Sequence, residues 1–223
     1  CDLCERFLTS NPSAEQRFAA QMLMLGSCNT LGEGDMIASV LPSVSAPSLA
    51  TSQTLLRNVV SAYSDTIAED MGVDAAIKAI DNALAQVQYE SPRDYAMRMF
   101  DSTKARAPKN ADGTPMSNRQ IMASLRTNGE TVNAGLLYTA ADKKSGLLKG
   151  AGRKDEALKV LKAFLAGRDP SSTYARRAKS AVTQAEIVGQ PAVALNFERQ
   201  YGEFKSLEDW RGKVVIIDFT AHW

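Results

Sequence analysis

Apolar residues recur every three to four positions from residue 12 to about residue 188. This spacing places them on one face of each helix, where they can pack against a neighbour. The pattern is clearest at 55–67, 73–87 and 157–165. We therefore expect residues 1–187 to form an α-helical domain.

Several residues mark where these helices begin and end. Ser13 and Ser117 are each followed three residues later by glutamine, which is the capping-box pattern of a helix start. Ser91 precedes a proline at the first position of another predicted helix. Breaks between helices are expected at four glycines and two polar loops: Gly72, Gly129, Gly152, Gly167, 41–48 and 107–115.

Segment 145–187 resembles a tetratricopeptide-type helix pair. Its second helix begins with the pattern Gly-x-x-x-Glu-Ala-Leu at 152–158, and Asp-Pro-Ser-Ser follows at 169–172. Small residues allow two helices to approach closely, and the proline prevents the second helix from continuing. No second copy appears at a fixed period. A single pair cannot bury its own apolar face, so we expect a helical hairpin that packs on the preceding helices.

The pattern changes at about residue 188. Gly-x-Pro at 189–191 leads into alternating apolar residues and a Tyr-Gly pair at 201–202, which predicts a linker and a β-hairpin. Residues 214–219, VVIIDF, are almost continuously apolar, as in a strand that is covered on both faces. The predicted fold is therefore mainly α, with the incomplete start of an α/β fold at 188–223.

Composition and charge exclude several classes of function. The chain is 44% hydrophobic and 23% charged, which is typical of a globular protein. Its net charge is +1, so we expect neither nucleic acid nor an anionic membrane surface as a partner. The apolar runs are too short for a transmembrane segment. One histidine and three cysteines nearly exclude a zinc site of four protein ligands, unless carboxylates take part. No cofactor is expected.

The cysteines are interpreted as ordinary thiols. Cys1 and Cys4 form a Cys-x-x-Cys, but a redox motif of this kind needs a preceding strand. They could also form a labile disulfide or half of a metal site, and Cys1 could be the lipid-modified first residue of a processed lipoprotein. Cys28 follows an apolar helix and is expected to be buried and inert. His222 is expected to be solvated.

Four short motifs follow one another near the C-terminus. They are VGQPAVALNF at 188–197, Ser-Leu at 206–207, Gly-Lys-Val-Val at 212–215 and Asp-Phe-x-Ala-x-Trp at 218–223. This series resembles the opening of a thioredoxin-like domain of the TlpA/ResA type, and it covers about one sixth of the chain. It departs from the family at Thr220 and at Ala194. The Cys-x-x-Cys of the family would begin directly after Trp223.

The resemblance implies a thiol–disulfide oxidoreductase of the bacterial envelope that acts on protein thiols and disulfides. It assigns Asp218 as the acceptor of a proton from the second cysteine and places Trp223 beside the redox site. Strand alternation also puts Asp218 on the apolar face with Val214 and Ile216. A carboxylate there needs a partner or a function, unless Asp218 simply ends the strand in solvent.

Two other functions stay open. The chain could be a helical scaffold that binds a protein partner and carries a non-catalytic thioredoxin-like appendage. A peroxiredoxin shares the Gly-Lys-x-Val-Val strand, but its cysteine normally lies in a context rich in proline and threonine. In each case about thirty-five residues cannot complete a layer of helices on a sheet, so 214–219 is expected to be poorly packed or covered by the helical domain.

Overall fold

Helices dominate the computed structural model, which describes residues 2–188, 190–191, 210 and 212–216. Helical residues make up 74% of these, and none of them lies in a strand. The prediction of a mainly α fold is confirmed. The start of an α/β fold is not seen in the described residues, and the predicted β-hairpin lies outside them.

The described chain forms ten α-helices in sequence. They are α1 Asp2–Thr9, α2 Ala14–Leu31, α3 Gly34–Val40, α4 Leu49–Asn58, α5 Ser64–Met71, α6 Val73–Ala85, α7 Pro92–Lys104, α8 Asn118–Gly150, α9 Lys154–Leu165 and α10 Thr173–Ile187. A 3₁₀ turn at Leu41–Ser43 follows α3. A π-helical turn at Val59–Tyr63 joins α4 to α5 without a break.

The predicted helix starts are confirmed. Ser13 caps α2 and Ser117 caps α8, each with both hydrogen bonds of the capping box. Ser91 caps α7 by accepting a hydrogen bond from the Asp94 N–H at 3.1 Å. A further capping box at Ser48 starts α4. Its partner is a threonine instead of glutamate or glutamine, so the usual sequence pattern does not reveal it.

One predicted break is wrong, because Gly129 lies inside the 33-residue helix α8. A Cβ atom on Gly129 would lie 3.0 Å from Tyr95 Cβ and 3.1 Å from Pro92 Cα. The glycine therefore allows α7 to approach α8 closely, which is a contact between helices that local sequence does not show. The other three predicted glycines do lie between helices: Gly72, Gly152 and Gly167.

Helix α8 contributes to three apolar clusters. Leu136 and Ala140 join the main core, which α2 to α6 form. Ile121 and Leu125 pack with α7 in a second cluster. Ala141 packs with α9 and α10 in a third. At 1.5 Å per residue, α8 is about 50 Å long, and it takes part in all three clusters.

The hairpin predicted at 145–187 is formed by the end of α8 and by α9, with α10 following. Ala157 and Leu161 of α9 are buried, as the Glu-Ala-Leu pattern predicts. Phe164 of α9 packs with Ala178 of α10 in the third cluster. No helix in the described part of the chain is long and apolar enough to cross a membrane.

The chain divides into two compact units, Cys1–Val182 and Thr183–Trp223. In the second unit, Val214 and Ile216 are 94% and 89% exposed and form no strand. A strand needs a neighbour for its backbone hydrogen bonds, and residues 214–216 have none among the described residues. This agrees with the expectation of poor packing. The rest of the predicted strand, 217–219, lies outside the described residues.

Candidate functional site

The two residues that the sequence predicts as catalytic, Asp218 and Trp223, lie outside the described residues. Cys1 and His222 do so as well. The roles assigned to them stay predictions. Across the part of the chain that the structure describes, no group of three or more His, Cys, Asp or Glu side chains could hold a metal ion.

The two described cysteines are free thiols in different surroundings. Cys28 in α2 is 3% exposed, which confirms the prediction that it is buried. Burial and the neighbouring Glu33 carboxylate raise the pKa of the Cys28 thiol. A protonated buried thiol is a poor nucleophile, so Cys28 is not a candidate for thiol exchange. Cys4 is half-buried beside a largely apolar groove between α1 and α2.

A cleft between α4 and the middle of α8 is the candidate functional site. It consists of two cavities of about 270 and 250 Å³. Arg57 of α4 and Val132 of α8 line both cavities, so the two adjoin at these side chains. We call this surface the Arg57 cleft. Together its two parts have the size of a site for a small ligand or a short peptide segment.

One side of α4 packs in the main core and the other side faces the cleft, which places Arg57 there. Leu49, Gln53 and Arg57 are four residues apart, so they lie along one side of the helix, and all three line the cleft. Leu55 lies on the opposite side and is fully buried in the main core. Packing of that side fixes the helix, and the polar side then faces the cleft.

The π-helical turn after α4 keeps a four-residue apolar repeat on one face. The four members of the repeat are all buried: Leu55, Val59, Tyr63 and Ile67. In a regular α-helix, side chains four residues apart drift by about 40° at each step. A π-turn takes up one more residue than an α-turn and offsets this drift. Such turns are frequent at functional sites, and this one contributes Val60 to the cleft wall.

Glu90 and Arg98 form a fixed wall at one end of the cleft. The Arg98 Nη2 and Nε atoms donate to the two carboxylate oxygens of Glu90 at 2.7 and 2.9 Å. The Arg98 guanidinium also lies 5.3 Å from the ring centre of Tyr95. These hydrogen bonds lower the pKa of the Glu90 carboxyl. Asn133 Nδ2 donates to the Glu90 backbone carbonyl at 2.9 Å and ties this wall to α8.

Tyr174 of α10 closes the other end of the cleft over Gly135 of α8. A Cβ atom on Gly135 would lie 2.8 Å from the Tyr174 hydroxyl, so the glycine makes room for the ring. Tyr138 lies 5.3 Å from the Tyr174 ring and packs edge-on against Phe164 at 5.5 Å. This aromatic group holds the end wall in place.

Arg57 is the charged group of the cleft for which the described part of the chain supplies no partner. Among the described residues it makes no hydrogen bond or ion pair. Glu90 and Arg98 neutralise each other, so the cleft retains the positive charge of Arg57. A guanidinium binds carboxylates through paired N–H donors. The chemistry that this arrangement supports is the binding of an anionic group at Arg57, beside one mostly apolar and one mostly polar cavity.

Sequence reasoning did not identify the Arg57 cleft, because its residues come from four distant segments of the chain. These segments are 49–60, 90–99, 132–139 and residue 174. The one local signal is the line of Leu49, Gln53 and Arg57 on a helix that is apolar on its other side. That pattern alone is typical of any solvent-facing helix.

Comparison of the chain with models of protein families, with characterised proteins and with solved structures gives no match. Function is therefore argued from the Arg57 cleft and from the motifs at 188–223.

Proposed function

We propose that the chain combines a helical partner-binding unit with the opening segment of a thioredoxin-like domain that performs thiol–disulfide exchange. The observation that carries the redox part is the paired motif Gly-Lys-Val-Val at 212–215 and Asp-Phe-x-Ala-x-Trp at 218–223. The Arg57 cleft supports the binding part, because it is a concave surface with a charge that has no partner among the described residues.

The proposed reaction needs two cysteines after Trp223. The first, as a thiolate, attacks one sulfur of a substrate disulfide, and the other substrate sulfur leaves as a thiolate that takes up a proton. Asp218 accepts the proton of the second cysteine, whose thiolate then attacks the mixed disulfide. The substrate leaves as a dithiol and the enzyme becomes oxidised. Such exchange suits an oxidising compartment, so the proposal includes a place in the bacterial envelope, with lipid attachment at Cys1 as one route to it.

Sequencing the gene beyond codon 223 is the first test. We expect a Cys-x-x-Cys directly after Trp223, followed by about a hundred residues of alternating helix and strand. In that longer protein, Asp218→Asn should slow the reduction of insulin disulfides about tenfold or more, because the second cysteine loses its proton acceptor. Asp209→Asn removes a carboxylate nine residues earlier in the sequence and serves as the control. A continuation without cysteine would overturn the redox proposal.

The Arg57 cleft also favours a second candidate function, a helical interaction module without catalysis. Its walls carry groups for binding, and Glu90, the carboxylate among them, is already engaged by Arg98. Under this alternative, the longer protein would reduce no disulfide but would still bind its ligand through Arg57. The redox assay therefore separates the two candidates.

A further inference from the structure

The basic residues of the helical unit are concentrated in its last part, residues 143–182. This part contains eleven of the 26 lysines and arginines of the chain and only three acids, whereas residues 1–142 contain eleven basic and sixteen acidic residues. The two parts therefore carry net charges of +8 and −5. The net charge of +1 averages over such regions, so it does not decide which partner the basic region binds.

The fold itself uses only some of these cations. Three of them, Lys143, Lys144 and Arg153, each pair at 2.6 Å with an aspartate of α5 or α6. Six others are exposed and make no hydrogen bond or ion pair among the described residues, and we call them the basic surface: Lys149, Lys154, Lys159, Arg176, Arg177 and Lys179.

The acids of the same region leave the basic surface almost uncompensated. Glu156 accepts two hydrogen bonds from Arg153 at 2.7 Å each. Asp169 accepts from the backbone and the hydroxyl of Ser171 at 2.8 and 2.7 Å. Asp155 is then the acid that remains to offset six cations.

The basic surface lies on the outer sides of two helices that pack together. Phe164 of α9 and Ala178 of α10 meet in the third apolar cluster. Lys159 and Arg176 each precede a buried residue, Leu161 and Ala178, by two positions, which is about 200° around a helix. Both cations therefore point away from the packed sides. Each helix is about 20 Å long, so the charges spread over an area with sides of about that length.

The composition of the basic surface favours a diffuse anionic partner. Four of its six cations are lysines, whose ammonium group is a point charge without the fixed fork of arginine. Residues 143–182 include no exposed large apolar or aromatic side chain. Protein interfaces are depleted in lysine and depend on aromatic anchors, and single-stranded nucleic acid needs aromatic rings for stacking. The phosphate groups of anionic lipids require neither.

We propose that the basic surface docks the protein on an anionic membrane surface through lipid phosphate groups, without insertion into the bilayer. Such a surface repels residues 1–142, so the molecule binds with α9 and α10 toward the lipid. The choice of lipid over double-stranded DNA rests on the envelope location in the proposed function.

Co-sedimentation of the full 223-residue chain with vesicles tests the proposal. Vesicles of phosphatidylcholine with about one third phosphatidylglycerol are compared with vesicles of phosphatidylcholine alone. We expect saturable binding to the anionic vesicles that about 0.5 M salt abolishes, and no binding to the neutral vesicles.

The test variant combines Arg176→Gln with Lys179→Gln. Each basic residue close to an anionic surface strengthens binding about fivefold, so this variant should bind about 25-fold more weakly. Arg177 is kept because its guanidinium lies 5.7 Å from the ring centre of Tyr174, which lines the Arg57 cleft.

The matched control combines Arg17→Gln with Arg126→Gln, which removes the same net charge from α2 and α8 outside the basic surface. All four positions are exposed and lack a side-chain hydrogen bond or ion pair among the described residues, so both variants should keep the parent melting temperature.

Four outcomes would each overturn the proposal. They are no binding to the anionic vesicles, equal binding to the neutral ones, equal losses in the two variants, and tighter binding to double-stranded DNA or polyglutamate than to the anionic vesicles at equal charge concentration. Vesicle binding needs no cysteine, so it fails or stands separately from the redox reaction.

Discussion

Single glycines of this protein serve opposite purposes, although they look alike in the sequence. Gly146 lies in α8 beside a cavity, and a Cβ atom there would meet nothing within 4 Å. Gly34 begins α3, and a Cβ atom there would collide with the backbone oxygen of Thr66 in α5. The first glycine is open to substitution, and the second is required by close packing of two helices.

Substitution of these glycines by alanine should therefore have opposite effects on stability. We expect Gly146→Ala to raise the free energy of unfolding by about 0.5–1 kcal/mol, because alanine favours the helix and its methyl group enters open space. Gly34→Ala should lower it by about 1–3 kcal/mol through overpacking. Urea denaturation followed by circular dichroism measures both changes. A loss of stability in Gly146→Ala would show that the cavity is narrower than described.

At the residue scale, the sequence predicted features that local chemistry determines. Ser13, Ser91 and Ser117 cap helices because a hydroxyl and a nearby N–H suffice for that contact. Gly129 was misinterpreted because its role depends on Tyr95, which lies thirty-four positions away in the sequence. The unpartnered state of Arg57 likewise depends on side chains from other helices, so no local pattern reveals it.

At the scale of elements, the π-helical turn at Val59–Tyr63 has the most specific origin in the sequence. Leu55, Val59, Tyr63 and Ile67 repeat at intervals of four, whereas an α-helical face alternates intervals of three and four. The periodicity predicted one helix here and its buried face correctly. The strict four-residue interval was the visible sign of an additional residue in the turn.

Deletion of Ser61, an exposed residue of the π-turn, should be tolerated. After the deletion, the four buried residues of the repeat would be separated by four, three and four positions. A regular α-helix would then bury the same side chains. We expect a change of less than about 1 kcal/mol in the free energy of unfolding. Deletion of the exposed Lys78 in α6 should instead cost more than about 3 kcal/mol, because Ile80 would turn away from the core.

Thermal and urea denaturation of the two deletion variants provide the comparison. Equal losses of stability would contradict the account of the π-turn.

At the scale of the whole molecule, the Glu90–Arg98 pair connects the segment before α7 with α7 itself and with the cleft. The Glu90 side chain is only 15% exposed, whereas that of Arg98 is 55% exposed. Solvent therefore screens the pair in part, and its contribution to stability is about 1 kcal/mol. Hydrogen bonds from Arg98 lower the pKa of Glu90, and burial and, less strongly, the Asp94 charge oppose this shift.

The pH dependence of stability should report this pair. Because the pKa of Glu90 is lower in the folded state than its ordinary value of 4.5, the stabilisation is present above that value and is lost as the pH falls through the folded-state pKa. We expect Glu90→Gln to lower the free energy of unfolding by about 1 kcal/mol at pH 7 and by progressively less below pH 4.5.

Denaturation at a series of pH values gives these differences. Glu130→Gln, which removes an exposed carboxylate of α8 that has no hydrogen-bonded partner among the described residues, is the matched control. The loss of unfolding free energy in Glu90→Gln could instead stay constant from pH 7 down to the pH of acid unfolding. That result would mean that the contact stabilises the fold through packing and not through charge.

The arrangement of the helices was less predictable than the helices themselves. Periodicity and caps gave most helix positions, because these depend on residues within one or two turns. The length of α8 was missed because a glycine such as Gly129 often interrupts a helix. The Arg57 cleft was missed because its walls come together only when α4, α7, α8 and α10 pack. The predicted redox residues Asp218 and Trp223 rest on the motif match alone.

Helix α8 passes through three apolar clusters, and this determines how the helical unit opens. If the contacts with α7 separate, the main core still holds Leu136 and Ala140; if α9 and α10 separate, the same two side chains remain buried. Backbone amides near the middle of α8 are therefore released only when the main core opens as well. These amides therefore belong to the last cooperative segment that loses protection from hydrogen exchange. The same segment of α8 forms the floor of the Arg57 cleft.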